Sequence, residues 1–152
     1  MDRERGFEET LAKEAPGLTI AARQYGLSDR GKARTAAENM LTAHPDLRGM
    51  FCSSEPSAVG GALAVKARHL SGKLQLVTFD SSADLVEELK SGTIQAMVVQ
   101  DPFRMGYDAV KSVVDKIAGK AVAKRIDLSA RLVQRDDLDK PDVIKLLTPE
   151  KK

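Results

Sequence analysis

Three apolar runs in this chain each end abruptly on a small polar cluster. Phe51-Cys52 leads into Ser53-Ser54-Glu55, the run 74–79 leads into Asp80-Ser81-Ser82, and the run 94–99 leads into Gln100-Asp101. A helix-like stretch follows each cluster. If the runs are parallel strands, all three clusters lie at the carboxyl ends of one sheet, the edge where open α/β sheets bind ligands. The pattern predicts a binding crevice built from loops and shows no catalytic constellation.

The rest of the chain fits that reading. Short β-branched or apolar segments bounded by turn residues predict strands at 18–22, 49–53, 74–79, 94–99 and 126–132. Helix-like segments alternate with them, at 5–13, 30–43, 56–68, 83–90 and 103–118. Ser28 or Asp29 can cap the second, Pro56 sits in the first turn of the third, and Ser91-Gly92 and Gly119 end the fourth and fifth. This β-α alternation predicts an α/β fold with a mostly parallel sheet covered by helices on both faces. Gly60-Gly61 predicts close packing of a helix on the sheet, and no phosphate-loop pattern surrounds the pair. The charged stretch from Asp136 predicts a short surface helix carrying Val143, Ile144, Leu146 and Leu147. The chain opens on a helix with no strand to feed it, so a first strand is expected to be missing.

A length of 152 residues suits one domain. Against 24 basic residues stand 22 acidic ones, a balance too even to point to nucleic acid or an anionic membrane. Cys52 is the only cysteine, so no internal disulfide can form. The charged start Met1-Asp2-Arg3-Glu4-Arg5 does not read as a signal peptide. Two histidines and one cysteine, far apart in sequence, give neither a metal-ligand spacing nor a nucleophile–base motif, so no cofactor, metal or enzymatic activity is expected.

Asp80 is the sharpest candidate. A carboxylate at a strand end can accept hydrogen bonds from adjacent hydroxyls of a sugar or polyol, while Asp80, Ser81 or Ser82 could each cap the helix at Ala83. Gln100 can donate and accept at once, which suits a hydroxyl, while Asp101 reads as a helix cap. Ser54 and Glu55 offer a hydroxyl and a carboxylate beside a helix start, with capping as the other reading. Arg3 lies in a helix first turn, where a cation is disfavoured, and is either a planar donor fork or a solvated side chain. Phe51, Phe79, Phe103 and Tyr107 read as core or hinge residues.

Taken in order, these clusters resemble the carboxyl-terminal half of a type I periplasmic sugar-binding protein of the ribose-binding group. Arg3-Glu4-Arg5-Gly6-Phe7 resembles the family's R-x-x-G-F element, and Leu41-Thr42-Ala43-His44-Pro45-Asp46 its LTAHPD turn. Val77-Thr78-Phe79-Asp80 resembles its V-G-F-D strand end, and Gly92 through Pro102 its G-x-x-x-A-x-V-x-Q-x-P element. Gly106-Tyr107 resembles the helix beyond, and Leu138-Asp139-Lys140-Pro141-Asp142-Val143 the common tail.

The resemblance implies that Arg3, Asp80 and Gln100 hydrogen-bond a sugar. It places Ser54 where the ribose group has asparagine, and Glu55 where it has aspartate. It implies most of a second lobe over residues 1–100, lacking its first strand. Residues 101–124 would be a helix of an absent first lobe, and 125–152 a returning strand and charged terminal segment. The implied function is the substrate-binding component of an ABC importer for a small sugar or polyol, working with a membrane permease and without nucleic acid. The implied location is periplasmic or extracytoplasmic for the full-length parent. The alternative is the effector-binding core of a sugar-responsive transcriptional regulator, which shares the fold. The Asp139-Lys140-Pro141 segment favours transport. A lobe standing alone is expected to self-associate, for instance as a homodimer.

Overall fold

Alternate residues of the apolar runs carry the core. In the computed structural model, which describes residues 2–148, β1 (Gly49–Cys52), β2 (Gln75–Phe79) and β3 (Ala96–Val99) lie side by side and parallel. β4 (Arg131–Gln134) pairs antiparallel with β3, giving the order β1-β2-β3-β4. α1 (Asp2–Glu14) and α2 (Arg30–Ala43) precede the sheet. α3 (Glu55–Ala67), α4 (Ala83–Lys90) and α5 (Pro102–Ile117) follow the three parallel strands in turn, and α6 (Pro141–Leu147) follows β4 after a 3-10 turn.

The register sets Met50 beside Leu76, Cys52 beside Thr78, Thr78 beside Met97 and Met97 beside Val133. Those residues therefore share one face, and all are buried. Against them pack Ala37 and Leu41 of α2, Ala58 and Val65 of α3, Leu85 and Leu89 of α4, and Val143 of α6. Each fully buried leucine contributes about 2 kcal/mol by leaving water. The burial also pushes the Cys52 thiol up to about 12.

Two glycines bring the layers together. A Cβ at Gly61 would meet Cys52 Sγ at 2.8 Å, so this glycine seats α3 on the sheet as expected. A Cβ at Gly60 would meet the Arg34 backbone nitrogen at 2.5 Å, so its partner is α2 rather than the sheet. Helix starts follow the sequence. Asp29 Oδ1 accepts from Lys32 N–H at 2.7 Å, Ser82 Oγ from Leu85 N–H at 3.4 Å, and Asp101 Oδ1 from Arg104 N–H at 2.9 Å.

Helices lie on both faces of the sheet, as expected, but cover them unequally. Phe51, Val77, Phe79 and Val98 on the second face are only half-buried, and Leu132 is exposed. α1 lies against this face, has no buried residue and touches it through Phe7, stacked on Phe51 with ring centroids 4.6 Å apart. Residues 18–22 form no strand, because among the described residues no strand lies alongside to pair their backbone groups. The last strand is Arg131–Gln134 rather than 126–132, because the four residues of β3 offer a ladder only there. Phe103 and Tyr107 are not core residues either: both lie exposed on α5. No helix among the described residues is long and apolar enough to cross a membrane.

Gly60→Ala drives a methyl into α2 backbone and is expected to destabilise by about 2 kcal/mol in urea unfolding. Gly106→Ala, with nothing within 4 Å, is expected to gain up to ~1 kcal/mol in the same assay. Cys52 is expected to resist iodoacetamide at about pH 8 in the folded chain and to react once urea unfolds it.

Candidate functional site

The carboxyl ends of β1, β2 and β3 converge on one guanidinium. Arg3, in the first turn of α1, donates from Nη1 to the Ser53 carbonyl oxygen at 2.9 Å and to Asp80 Oδ2 at 3.1 Å. Its Nη2 donates to Gln100 Oε1 at 2.7 Å. The same guanidinium lies over the Phe79 ring, 3.8 Å from the centroid. Three strand ends, each followed by its own helix, are thereby tied to α1. The sequence opens two readings for Arg3, and the structure selects the donor fork.

Asp80 stands just past β2 with φ at 72°, in the left-handed region that costs a non-glycine residue energy. Its backbone N–H extends the ladder to the Val98 carbonyl at 2.9 Å. The turned backbone sends the carboxylate across to the start of α3, where Oδ2 accepts the Glu55 N–H at 3.1 Å. Asp80 is therefore a cap, but of α3 rather than of the helix that follows it, which Ser82 caps. With Oδ2 shared by Arg3 and Glu55, Oδ1 has no hydrogen-bond partner among the described residues. Gln100 is likewise half engaged: Oε1 accepts from Arg3, while its amide donors have no partner among the described residues. One free acceptor and one free amide sit at neighbouring strand ends, at a site about one-third exposed to solvent. A hydroxyl pair can satisfy both.

Ser54 and Glu55 sit at the same edge with other engagements. Ser54 is the N-cap of α3, its N–H donating to Ser57 Oγ at 3.0 Å and the two hydroxyls 3.0 Å apart. The Glu55 carboxylate pairs with Arg30 of α2, and Arg30 also reaches Asp84 of α4 at 3.3 Å. Thus Arg3, Ser54, Glu55, Asp80 and Gln100 all meet at one edge, with Glu55 reaching Asp80 through its backbone N–H. Sequence reasoning missed Glu4, whose carboxylate accepts from Ser53 Oγ at 3.4 Å. Its place next to Arg3 in a helix first turn was the available signal. Among the described residues no cluster of histidine, cysteine and carboxylate side chains could hold a metal ion.

Fold and edge together define the class: an open α/β domain with its polar groups gathered at the carboxyl ends of parallel strands. The chain belongs to the periplasmic binding protein domain family, whose model matches residues 1–121. It is 32% identical over 132 residues to the ribose import binding protein RbsB of Bacillus subtilis, covering 86% of this chain and 41% of that protein. It is also similar to a solved ABC transporter solute binding protein from Agrobacterium vitis with bound D-fucose, at 33% identity and a TM-score of 0.90, over 95% of this chain and 50% of the other. A second solved Agrobacterium vitis solute binding protein, bound with alpha-D-tagatopyranose, gives 29% identity and a TM-score of 0.92, over 97% and 49%. The chain spans about half the length of the relatives it matches. The names of these relatives are those of import and ABC transporter binding proteins.

Asp80→Asn keeps a residue that tolerates the left-handed backbone but removes the charge that holds Arg3. Amide exchange over residues 2–7 is expected to quicken roughly fivefold, with α2 unchanged, as read by hydrogen–deuterium exchange.

Proposed function

We propose that this chain is the carboxyl-terminal ligand-binding lobe of the substrate-binding component of an ABC importer, taking a small sugar or polyol without chemical change. The carrying observation is the half-engaged pair at the strand ends. Asp80 Oδ1 is left as an acceptor and the Gln100 amide as a donor, with Arg3 fixed between them. Adjacent sugar hydroxyls each donate and accept, so they complement such a pair. Ser54 and Glu55 complete the edge from the first turn of α3. The names of the relatives, with ribose, D-fucose and alpha-D-tagatopyranose, support the same ligand class.

In this reading residues 1–100 form the lobe, 101–124 leave it for a companion lobe, and 125–152 return. The exposed apolar face of α5 supports that division, since this lobe buries none of it. Closure of two lobes over the ligand then supplies the walls that an open sheet edge lacks. The complete protein works outside the cytoplasm and hands its ligand to a membrane permease, with neither nucleic acid nor cofactor as a partner.

Calorimetric titration of the complete protein carrying this lobe, with D-ribose, D-allose and D-fucose, tests the reading. At least one sugar is expected to bind, and Asp80→Ala is expected to weaken it at least a hundredfold. No binding by any of the three, or affinity untouched by the substitution, overturns it.

A further inference from the structure

Arg30 stands where a cation is disfavoured. It opens α2, at the positive end of the helix dipole, and no acidic residue lies in that first turn. Its bonds run to two other helices instead. Nη2 donates to the Glu55 carboxylate at the start of α3, and Nη1 donates to Asp84 Oδ2 in the first turn of α4 at 3.3 Å. The Arg30 side chain is 50% exposed and that of Glu55 only 23%. Such a partly exposed pair adds little to stability. Its consequence is where it sends the Glu55 carboxylate.

That carboxylate belongs to a residue already at the ligand edge. The Glu55 N–H donates to Asp80 Oδ2 at 3.1 Å, and Arg3 Nη1 donates to the same oxygen at 3.1 Å. The Glu55 backbone and the Arg3 guanidinium thus share one acceptor atom. A glutamate side chain is long and free in its rotamers, so without Arg30 the Glu55 carboxylate can turn to Arg3. There it competes with Asp80 for the guanidinium and sets a second negative charge beside the first. Asp80 and Gln100 both take their orientation from that guanidinium, so both are disturbed.

We propose that Arg30 is a positioning residue for ligand binding: by holding the Glu55 carboxylate on α2, it reserves Arg3 for Asp80 and Gln100. The proposal rests on the sugar reading above. Arg30 itself touches no ligand. It acts through Glu55, whose N–H serves the site while its carboxylate is drawn out of it.

Two readouts test this. In the chain alone, with no sugar present, Arg30→Gln is expected to shift the NMR signal of the Arg3 guanidinium, and to leave it in place in a Glu55→Gln background. In the complete protein, calorimetry uses whichever of D-ribose, D-allose and D-fucose binds tightest. Arg30→Gln is expected to weaken that sugar roughly tenfold, but less than about twofold in the Glu55→Gln background. Asp84→Asn, which removes the other bond of Arg30, is expected to leave affinity within about twofold. Equal losses in both backgrounds, a loss from Asp84→Asn as large as that from Arg30→Gln, or an unmoved Arg3 signal makes Arg30 a structural residue and overturns the proposal. Affinity untouched by Arg30→Gln overturns it too and leaves the sugar reading standing. A parent protein that binds none of these sugars ends the sugar reading, and this role with it, whatever the Arg3 signal does.

Discussion

The Arg3 guanidinium bonds to groups from three different strand ends, and the arrangement of the candidate site depends on it. A guanidinium presents its donors in a rigid plane, so it can reach the Ser53 carbonyl, Asp80 and Gln100 together while its face rests on Phe79. Lysine, with one compact ammonium, could not span that set. The consequence is directional: each polar side chain is fixed by one atom and left open at another. Asp80 gives Oδ2 to Arg3 and to α3, and Gln100 gives Oε1. In the proposed sugar reading, the groups the ligand meets are held before it arrives.

The sheet is asymmetric, and this separates stability from binding. One face is closed by α2, α3, α4 and α6 over fully buried leucines, valines and methionines. The close approach of α2 and α3 depends on Gly60, and that of α3 and β1 on Gly61. The other face carries α1, which buries nothing and is held by the Arg3 bonds and the Phe7–Phe51 stack. α5 follows the same pattern, with a helix of sound capping and internal ion pairs that leaves its apolar stripe outward. A chain about half the length of its relatives thus holds a solid half-sandwich core and two elements whose apolar surfaces remain open.

Much of this could be read from residues. The three parallel strands, their helices and the caps at Asp29, Ser82 and Asp101 follow local patterns that need no knowledge of distant neighbours. The edge holding Asp80, Gln100 and Ser54 follows from the rule that parallel strands share a carboxyl end. The misses have a common cause. Residues 18–22 have the composition of a strand, but a strand exists only with a partner for its backbone groups. Residues 126–132 were shifted because the length of β3, not local propensity, sets where β4 can pair. Phe103 and Tyr107 read as core or hinge residues, and sequence does not say whether anything covers them.

The sequence by itself determined the alternation of strands and helices, the common edge of the polar clusters and the family. The first two rest on local propensity and on spacing, and the family on resemblance to its motifs, all of which survive without coordinates. Only the tertiary structure decided how each site residue is engaged. It turned Asp80 through a left-handed backbone to cap α3 instead of α4, drew Glu55 to Arg30, and put Arg3 at the centre. These contacts join residues 25 to 97 positions apart, and their geometry depends on how whole elements pack, which no local pattern records.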